Sequence, residues 1–376
     1  MGTTQPKLYA NGGFDVEHKI DPDLFTDSYT ALNEAVDRAV KLSVKWGKPD
    51  KGFIRELKRN NAVFAAFKAH REQNDLAGLL VDDDGNARSF DSFRMAAAPV
   101  IGEYNVNWLQ TEYATAVRVA RTAVRFKQYE KDGDLYPNGE WLPSRAAEPR
   151  MSHRKYYHTV RRLTDPWWET HYPGCVWGCQ CDMRNTDKPI THIGDNPAAP
   201  GAEPTTVPPS EEAGVRSPGL SRNPARSGEL FSRDHPYFTS AYPGAEKAVA
   251  KKMQTIDVKQ ARKEVQEWAK REVVGKSFLN QEIGKEIEIT STGIKEALNQ
   301  PHKYIREKNE AIRNIKQIIH EAHRVLYRSD DKGNQMVVGY HYLEFELAGE
   351  KSYIVIRETK DGRLMFYSVV DKIKGR

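Results

Sequence analysis

The sequence predicts an α+β protein with a mainly helical N-terminal part and a small C-terminal domain in which helices precede an antiparallel sheet. Apolar residues recur every three or four positions between 105 and 128, which is the pattern of an amphipathic helix. Between 336 and 373 apolar and polar residues instead alternate in three runs, which is the pattern of half-buried strands. A stretch rich in proline and glycine from 195 to 230 separates the two regions, so each is expected to have a core of its own.

The N-terminal part is predicted to be a group of helices followed by a loop-rich segment. Apolar spacing predicts helices at 27–46, 51–71, 105–128 and, just before the cysteines, 152–163. The polar face of the third helix carries Arg118, Arg121 and Arg125. That face is either solvated or a contact for nucleic acid, since both uses place arginine away from the core.

The C-terminal part is predicted to end in a three-stranded meander joined by glycine-containing turns. The segment 195–244 has the composition of a flexible linker, and a polar connector helix is predicted at 245–275. Beyond it we expect a strand at 287–290, helices at 292–299 and 308–323, and strands at 336–347, 351–359 and 364–373. The predicted domains are therefore 1–194, 195–244, 245–275 and 276–376.

Length, charge and hydropathy exclude some classes of protein. The chain has 376 residues, a net charge of +5 and a mean hydropathy of −0.72. We therefore expect small cores and no strong bulk attraction for nucleic acid. No apolar run approaches the roughly 20 residues that span a bilayer, and the N-terminal sequence MGTTQPKLYANGGFD lacks a secretory signal pattern. These observations predict cytoplasmic synthesis and no membrane partner.

The cysteines are concentrated in one short segment. All three lie between Trp167 and Cys181, in the run WWETHYPGCVWGCQC. Thiolates and imidazoles are the ligands of tetrahedral zinc sites, and an H-x3-C-x3-C-x-C series supplies them close together. The predicted ligands, for zinc or another metal, are His171, Cys175, Cys179 and Cys181.

Two other interpretations fit the same spacing. The thiols would act as small apolar groups in an aromatic cluster, or two of them would form a disulfide. The histidine ligand is also open, because two other histidines precede the cysteines at a short distance in the chain. If His171 is not a ligand, His153 and His158 are the alternatives.

The segment around the cysteines resembles the signature of phage Mu F-like head-morphogenesis proteins. The run RMSHRKYYHTVRRLTDPWWETHYPGCVWGCQC contains the family's basic residue and histidine, its aromatic proline-containing stretch and its closing Cys-x-Cys pair. The resemblance covers about residues 25–190. It implies a minor head protein of a phage or prophage that acts in prohead assembly with the portal and other head proteins. Gln180 departs from the pattern, since the family has a basic residue there. The matching positions are Arg150, His153, Trp168, His171, Pro173, Cys179 and Cys181.

The last ninety residues contain side chains that suit an RNA substrate, because tyrosines stack on bases and cations hold phosphate. Metal-free RNA cleavage needs an acid and a base, for which His302 is the candidate, and a cation for the phosphate. A histidine in such a loop is also a common surface or capping residue, and lysines and arginines are often merely solvated. The candidate catalytic residues are His302, Lys295, Arg357, Ser368 and Tyr353, and the candidate substrate-binding residues are Ser291, Thr292, Lys351 and Arg306.

The same region resembles the phage barnase–EndoU–colicin–RelE-like nuclease domain that follows Mu F-like head proteins. The resemblance rests on ITSTGIKEALNQPHKYIREKNEAIRNI, YHYLEFELAGEKSYIVIRE and FYSVVDKIK, and covers about residues 282–374. It implies helices followed by four strands and a metal-independent ribonuclease that needs no cofactor and acts on RNA, for example host transfer RNA.

Two further functions are compatible with these patterns. The chain would be a delivered ribonuclease toxin with a phage-derived carrier domain, in which case an immunity protein would be a partner. Alternatively, the tail would bind RNA or protein without catalysis. The expected location is the virion or the cytoplasm of the bacterial host.

Overall fold

The computed structural model describes residues 14–43, 49–191, 216–330 and 334–373. The fold is α+β, as predicted. The chain divides into two compact units, Met1–Met253 (unit 1) and Gln254–Arg376 (unit 2). Among the described residues, no helix combines the length and the apolarity that crossing a bilayer requires.

Unit 1 is built on long helices. The helix predicted at 27–46 starts earlier, at Pro22, and its predicted residues 44–46 lie outside the described residues. The helix predicted at 51–71 continues to Gly78. Asp50 begins the second helix because its side chain accepts a hydrogen bond from the backbone N–H of Phe53. The predicted helix at 105–128 is the end of a longer element that starts earlier and contains a π-helical turn at Glu103–Trp108. The helices are α1 (Pro22–Ser43), α2 (Lys51–Gly78), α3 (Phe90–Gly102) and α4 (Leu109–Lys131).

A small antiparallel sheet follows the helices. Its strands are β1 (Asn138–Leu142), β2 (Val160–Arg162) and β3 (Asp182–Thr186), with β1 in the centre. The helix predicted at 152–163 is wrong for most of its length, since only α5 (Met151–Arg154) is helical. The backbone N–H of His158 donates to the carbonyl of Trp141 instead, because pairing with β1 replaces the helical hydrogen bonds.

Residues 216–244 of the predicted linker are ordered, which corrects the sequence-based interpretation for that part, while 195–215 lie outside the described residues. Residues 216–244 pack into unit 1 and contain the short helices α6 (Pro224–Ser227) and α7 (Pro236–Thr239). The ring of Phe231 is fully buried and stacks on Phe64 of α2 at 4.0 Å. Asn60 both accepts from and donates to the Phe231 backbone. Burial of a large apolar side chain stabilises the folded state by about 2–3 kcal/mol. A few such side chains are therefore enough to order a segment whose composition is otherwise that of a loop.

Buried polar groups join three parts of unit 1. The ammonium group of Lys68 on α2 donates to Glu112 on α4 at 2.6 Å, and both side chains are buried. The hydroxyl of Tyr237 donates to the other oxygen of Glu112 at 2.9 Å. A pair of buried charges is tolerated only when such partners satisfy it, so this network fixes α2, α4 and α7 together.

Unit 2 begins inside the helix that was predicted as a connector, α8 (Ala245–Glu272). The predicted helix at 308–323 is interrupted by a 3₁₀ turn at Ile312–Asn314. Buried Lys308 donates from its ammonium group to the carbonyls of Ala297 and Gln300, where the preceding helix ends. The helices after α8 are α9 (Ser291–Asn299), α10 (Ile305–Ala311) and α11 (Ile315–Glu321).

The sheet of unit 2 has six strands in the order β4-β5-β9-β8-β7-β6. The three predicted strands of the meander are confirmed, whereas β4 and β6 are additions to the prediction. All neighbouring strands are antiparallel except β5 and β9, which are parallel. The strands are β4 (Ser277–Asn280), β5 (Lys285–Glu288), β6 (His323–Ser329), β7 (Val337–Leu347), β8 (Glu350–Thr359) and β9 (Leu364–Val370).

The core of unit 2 lies between this sheet and the helices. Apolar side chains from alternate sheet positions meet the buried sides of the helices. Helix α9 contributes Ile294 and Leu298, while β8 and β9 contribute Ile354, Ile356 and Phe366. The face of the sheet that carries these residues is therefore the helix-covered face.

The carboxyl group of Glu72 on α2 is a buried acid with one unpaired oxygen. One of its oxygens accepts from the side-chain amide of Asn105, while the other has no hydrogen-bond partner among the described residues. Burial raises the pKa of Glu72 from 4.5 to about 7. Because the folded pKa is the higher one, the stability that depends on Glu72 is complete below about pH 4.5 and is lost as the pH rises through about 7.

We expect Glu72→Gln to stabilise unit 1 at pH 8 and to have little effect at pH 4.5. The neutral amide avoids the cost of a buried carboxylate, which is about 3 kcal/mol for a pKa shift of this size. Denaturant unfolding followed by tryptophan fluorescence at both pH values would measure the difference. Glu34→Gln, at an exposed position of α1, is the control. Equal stabilities of Glu72→Gln and the wild type at pH 8 would contradict this prediction.

Candidate functional site

The imidazole of His153 lies among the sulfur atoms of all three cysteines. Its Nδ1 atom is 3.6 Å from Cys179 Sγ and 3.7 Å from Cys181 Sγ. Its Nε2 atom, on the other side of the ring, is 3.9 Å from Cys175 Sγ. The ligand atoms of His153, Cys179 and Cys181 are all within 4.8 Å of one another. These three residues form what we call the His153 cluster.

The Cys-x-Cys spacing explains why two sulfurs approach the same ring nitrogen. Residues 179–181 lead directly into β3, and alternate side chains of an extended backbone point to the same side. Cys179 and Cys181 therefore both face His153, while Gln180 between them is exposed. Gly178 has a φ of +74°, which glycine adopts without strain and which turns the chain into this segment.

Helix α4 holds the end of the cysteine segment in place. The guanidinium group of Arg125 donates to the carboxylate of Asp182, the residue after Cys181, and to the carbonyl of Met183 at 2.7 Å. Arg125 also donates to the hydroxyl of Tyr129. The prediction that this arginine lies on a solvated or nucleic-acid-binding face is wrong, because its side chain is buried against β3.

Aromatic side chains enclose His153. The ring of Trp141, at the centre of the small sheet, meets it edge-on at 5.5 Å. Tyr156 packs against both rings, and Trp167 packs against Trp141 and Tyr156. This packing leaves His153 about 1% exposed, so its position is fixed by the fold of unit 1.

Histidine and thiol groups shift each other's ionisation in this cluster. Burial alone would lower the pKa of His153, but its interactions with Cys175 and Cys179 outweigh burial and raise the pKa to about 10. The hydrogen bond with Cys181 lowers the pKa of Cys179 to about 4, against the effect of burial, and His153 adds to the lowering. The interaction with Cys179 raises the pKa of Cys181 above its ordinary value.

His171 is placed outside the His153 cluster, in contrast to the sequence prediction. Its ring stacks on Trp167 at 4.7 Å with an interplanar angle of 9°. Its Nδ1 atom lies 2.9 Å from the hydroxyl of Thr170. Burial lowers the pKa of His171 to about 4, so the ring is a neutral packing group. His158, the other alternative, contacts Glu140 at 3.1 Å.

A cavity of about 360 Å³ opens beside the His153 cluster. Both cysteines of the cluster line it, together with polar residues from the segments before α5 and after Gly178. The guanidinium group of Arg150 donates to the carbonyl of Trp177 at 2.6 Å and so forms part of the wall. The other polar lining residues are Ser144, Glu148 and Gln180.

In unit 2, His302 has both ring nitrogens engaged. Nδ1 accepts from the backbone N–H of Tyr304 at 3.0 Å, at the start of α10. The other nitrogen, Nε2, therefore carries the proton and donates to the hydroxyl of Ser352 at 3.2 Å. Burial lowers the pKa of His302. A neutral imidazole with these two hydrogen bonds acts as a cap of the turn before α10.

The structure does not bring the candidate catalytic residues of unit 2 to one place. Ser352, the partner of His302, lies on the helix-covered face of β8, at the same parity as Ile354. Tyr353 and Arg357 lie on the opposite face of β8, where Ser368 of β9 joins them through its pairing with Val355. Lys295 is an exposed residue of α9, on the helix side.

The candidate substrate-binding residues are spread in the same way. Ser291 and Thr292 are exposed in the first turn of α9, and Arg306 is exposed on α10. Lys351 on β8 is paired with Glu344 of β7 at 2.8 Å. Metal-independent RNA cleavage therefore stays a prediction, and its candidate residues do not form one site in unit 2.

The face of the sheet opposite the helices carries tyrosines and arginines that sequence reasoning only partly identified. The guanidinium of Arg357 lies 4.1 Å from the ring centre of Tyr367, and the ring of Tyr340 lies 5.8 Å from that of Tyr367. Arg328 lies 6.0 Å from the ring centre of Tyr342. Antiparallel pairing places these side chains on one surface, which we call the tyrosine–arginine face.

Comparisons with known proteins give a family match for one part of the chain and a phage protein as a relative over a limited stretch. Residues 256–367 match the family model of "Large polyvalent protein-associated domain 3", a description that names no activity. A stretch of 106 residues is 30% identical to "Putative capsid assembly protein F" of Escherichia phage Mu, over 28% of this chain and 22% of that protein. The match thus spans about a fifth of the length of that relative. No solved structure is significantly similar to the chain. The chain is therefore similar in part to a phage head protein, and the nuclease resemblance has no support from these comparisons.

Proposed function

We propose that this protein takes part in the assembly of a phage or prophage head, is present in the virion, and contacts the portal and other head proteins. The single observation that supports this proposal most directly is the 30% identity to the F protein of phage Mu. The Cys-x-Cys segment and His153, which resemble the signature of Mu F-like head-morphogenesis proteins, support the same proposal. Unit 1 provides a helical body in which that segment is held by α4.

Disruption of the gene in a strain that produces the phage tests this function. We expect fewer DNA-filled heads by electron microscopy and a lower infectious titre, both restored by the wild-type gene in trans. Asp182→Ala should restore neither, because it removes the carboxylate that pairs with Arg125 next to Cys181. Lys41→Ala, at an exposed position of α1, should restore both. Normal head yield after disruption, or absence of the protein from purified heads, would refute the assembly role.

A second candidate function, for unit 2, is the binding of single-stranded RNA by the tyrosine–arginine face. This candidate is supported by the ring and guanidinium planes of Tyr367, Tyr340 and Arg357, which offer stacking surfaces for bases. Arg357 Nε and Ser368 Oγ are buried and lack hydrogen-bond partners within the described part of the chain. Both are groups to which phosphate or base oxygens are suitable partners.

For RNA binding we expect Tyr367→Leu and Arg357→Gln each to weaken the affinity of the full chain by about tenfold, since one stacked base contributes about 1–3 kcal/mol. Fluorescence anisotropy with a labelled single-stranded RNA would measure the affinity. Lys316→Ala removes an exposed positive charge from α11 and should change it less than twofold. If all three variants lost the same amount of RNA affinity, the tyrosine–arginine face would not be the binding site. Cleavage of the RNA in EDTA by the wild type but not by His302→Ala would instead identify a ribonuclease.

A further inference from the structure

The strongest unexplained feature of unit 1 is the set of nitrogen and sulfur atoms around His153. In a tetrahedral zinc site, bond lengths of about 2.0–2.1 Å to nitrogen and about 2.3 Å to sulfur place these ligand atoms about 3.6 Å apart. The Nδ1 atom of His153 lies 3.6 and 3.7 Å from the sulfurs of Cys179 and Cys181. Both nitrogen–sulfur separations are therefore those of two ligands of one zinc ion, and the two sulfurs lie within 4.8 Å of each other.

We propose that His153 Nδ1, Cys179 Sγ and Cys181 Sγ bind a zinc ion whose fourth position is open to solvent. This ligand set differs from the series read from the sequence, because it replaces His171 by His153 and leaves Cys175 out. The donor atoms select zinc over magnesium or calcium, which prefer oxygen ligands. Binding replaces by the metal the protons that the metal-free cluster carries on His153 Nδ1 and on the cysteine sulfurs.

Cys175 acts on the zinc site through the histidine. Its sulfur faces Nε2 of His153, and a metal bound at Nδ1 lies on the far side of the ring from that sulfur. With Nδ1 bound to zinc, Nε2 carries the proton and donates to Cys175 Sγ. Ligating histidines commonly have such a partner, which fixes their tautomer and orientation. Cys175 is thus a positioning residue.

His153, Cys179 and Cys181 all line the 360 Å³ cavity, so the fourth coordination position of the proposed site opens into it. Within the described residues, no fourth histidine, cysteine or carboxylate belongs to the group that surrounds the three ligand atoms. A water molecule from the cavity therefore completes the tetrahedron. Structural zinc sites are usually closed by four protein ligands, whereas a position filled by water allows exchange. The site consequently connects the α5 turn to the start of β3 and still leaves room for an incoming ligand.

Metal reconstitution of the untagged full chain tests the proposal. The protein is stripped with EDTA under reducing conditions, dialysed, and titrated with zinc or cobalt. We expect one zinc per chain by elemental analysis, and a cobalt absorption spectrum with thiolate-to-metal charge transfer. Cys181→Ser and Cys179→Ser should each weaken zinc binding at least tenfold. His153→Ala should do so as well, and thermal unfolding of each variant shows whether unit 1 is folded.

Two matched variants separate this ligand set from the alternatives. Cys175→Ser should keep one zinc per chain and lower the affinity by no more than about tenfold, as expected for a partner outside the coordination sphere. His171→Ala should leave zinc binding unchanged. Loss of zinc in Cys175→Ser or His171→Ala with retention in Cys181→Ser would overturn the proposal. So would the absence of zinc binding by the reduced wild type, or isolation of a Cys179–Cys181 disulfide that resists reduction.

Discussion

The fold around residues 138–186 depends on the contact between the imidazole of His153 and the sulfurs of the three cysteines. The small sheet has strands of only three to five residues, which is too little pairing to be stable alone. Its stability must come from what packs on it. Trp141 connects the centre of the sheet to His153, and Arg125 connects α4 to the residue after Cys181. The cluster is thus the place where the helices, the sheet and the cysteine loop are fixed to one another.

Local spacing predicted the sulfur pair but not the histidine that accompanies it. The Cys-x-Cys pair converges because alternate residues of extended chain share a side, a property of the backbone that the sequence displays directly. His171 was the nearest histidine in the sequence, but stacking on Trp167 keeps it away. His153 lies 22 residues before Cys175 and approaches it only after the chain has folded over β1. Spacing along the chain carries little information on contacts of that range.

Composition gave a wrong prediction for 216–244, because burial of a few apolar residues orders a segment that is mostly polar. The segment 216–244 contains the proline, glycine and serine of a linker, yet Phe231 enters the core of unit 1. In unit 2, alternation and turn glycines were enough to predict the three strands of the meander. The four-residue strand β4 gave no comparable pattern, and β5 was predicted two residues too late, at 287–290. β5 also pairs in parallel with a strand far along the chain, which no local pattern indicates.

The same alternation could have separated the candidate catalytic residues of unit 2. Along β8, Ser352 and Ile356 share the helix-covered face, while Tyr353 and Arg357 share the other. A histidine that donates to Ser352 therefore belongs to the helix side of the sheet. The alternation of side chains along β8 would therefore have placed His302 and the tyrosine–arginine face on opposite sides of the sheet. The face opposite the helices is the tyrosine–arginine face, to which His302 does not belong.

The central claim is that the zinc site of unit 1 takes two sulfur ligands, from the Cys-x-Cys pair, and that Cys175 supports the ligand His153 without binding the metal. X-ray absorption spectroscopy at the zinc edge of the reconstituted protein tests it most directly, because it counts sulfur neighbours of the metal. We predict two sulfur atoms at about 2.3 Å, with the remaining ligands nitrogen or oxygen at about 2.0–2.1 Å. The same spectrum should be given by Cys175→Ser. Three sulfur neighbours in the wild type, or a shell of nitrogen and oxygen alone, would contradict this account of the site.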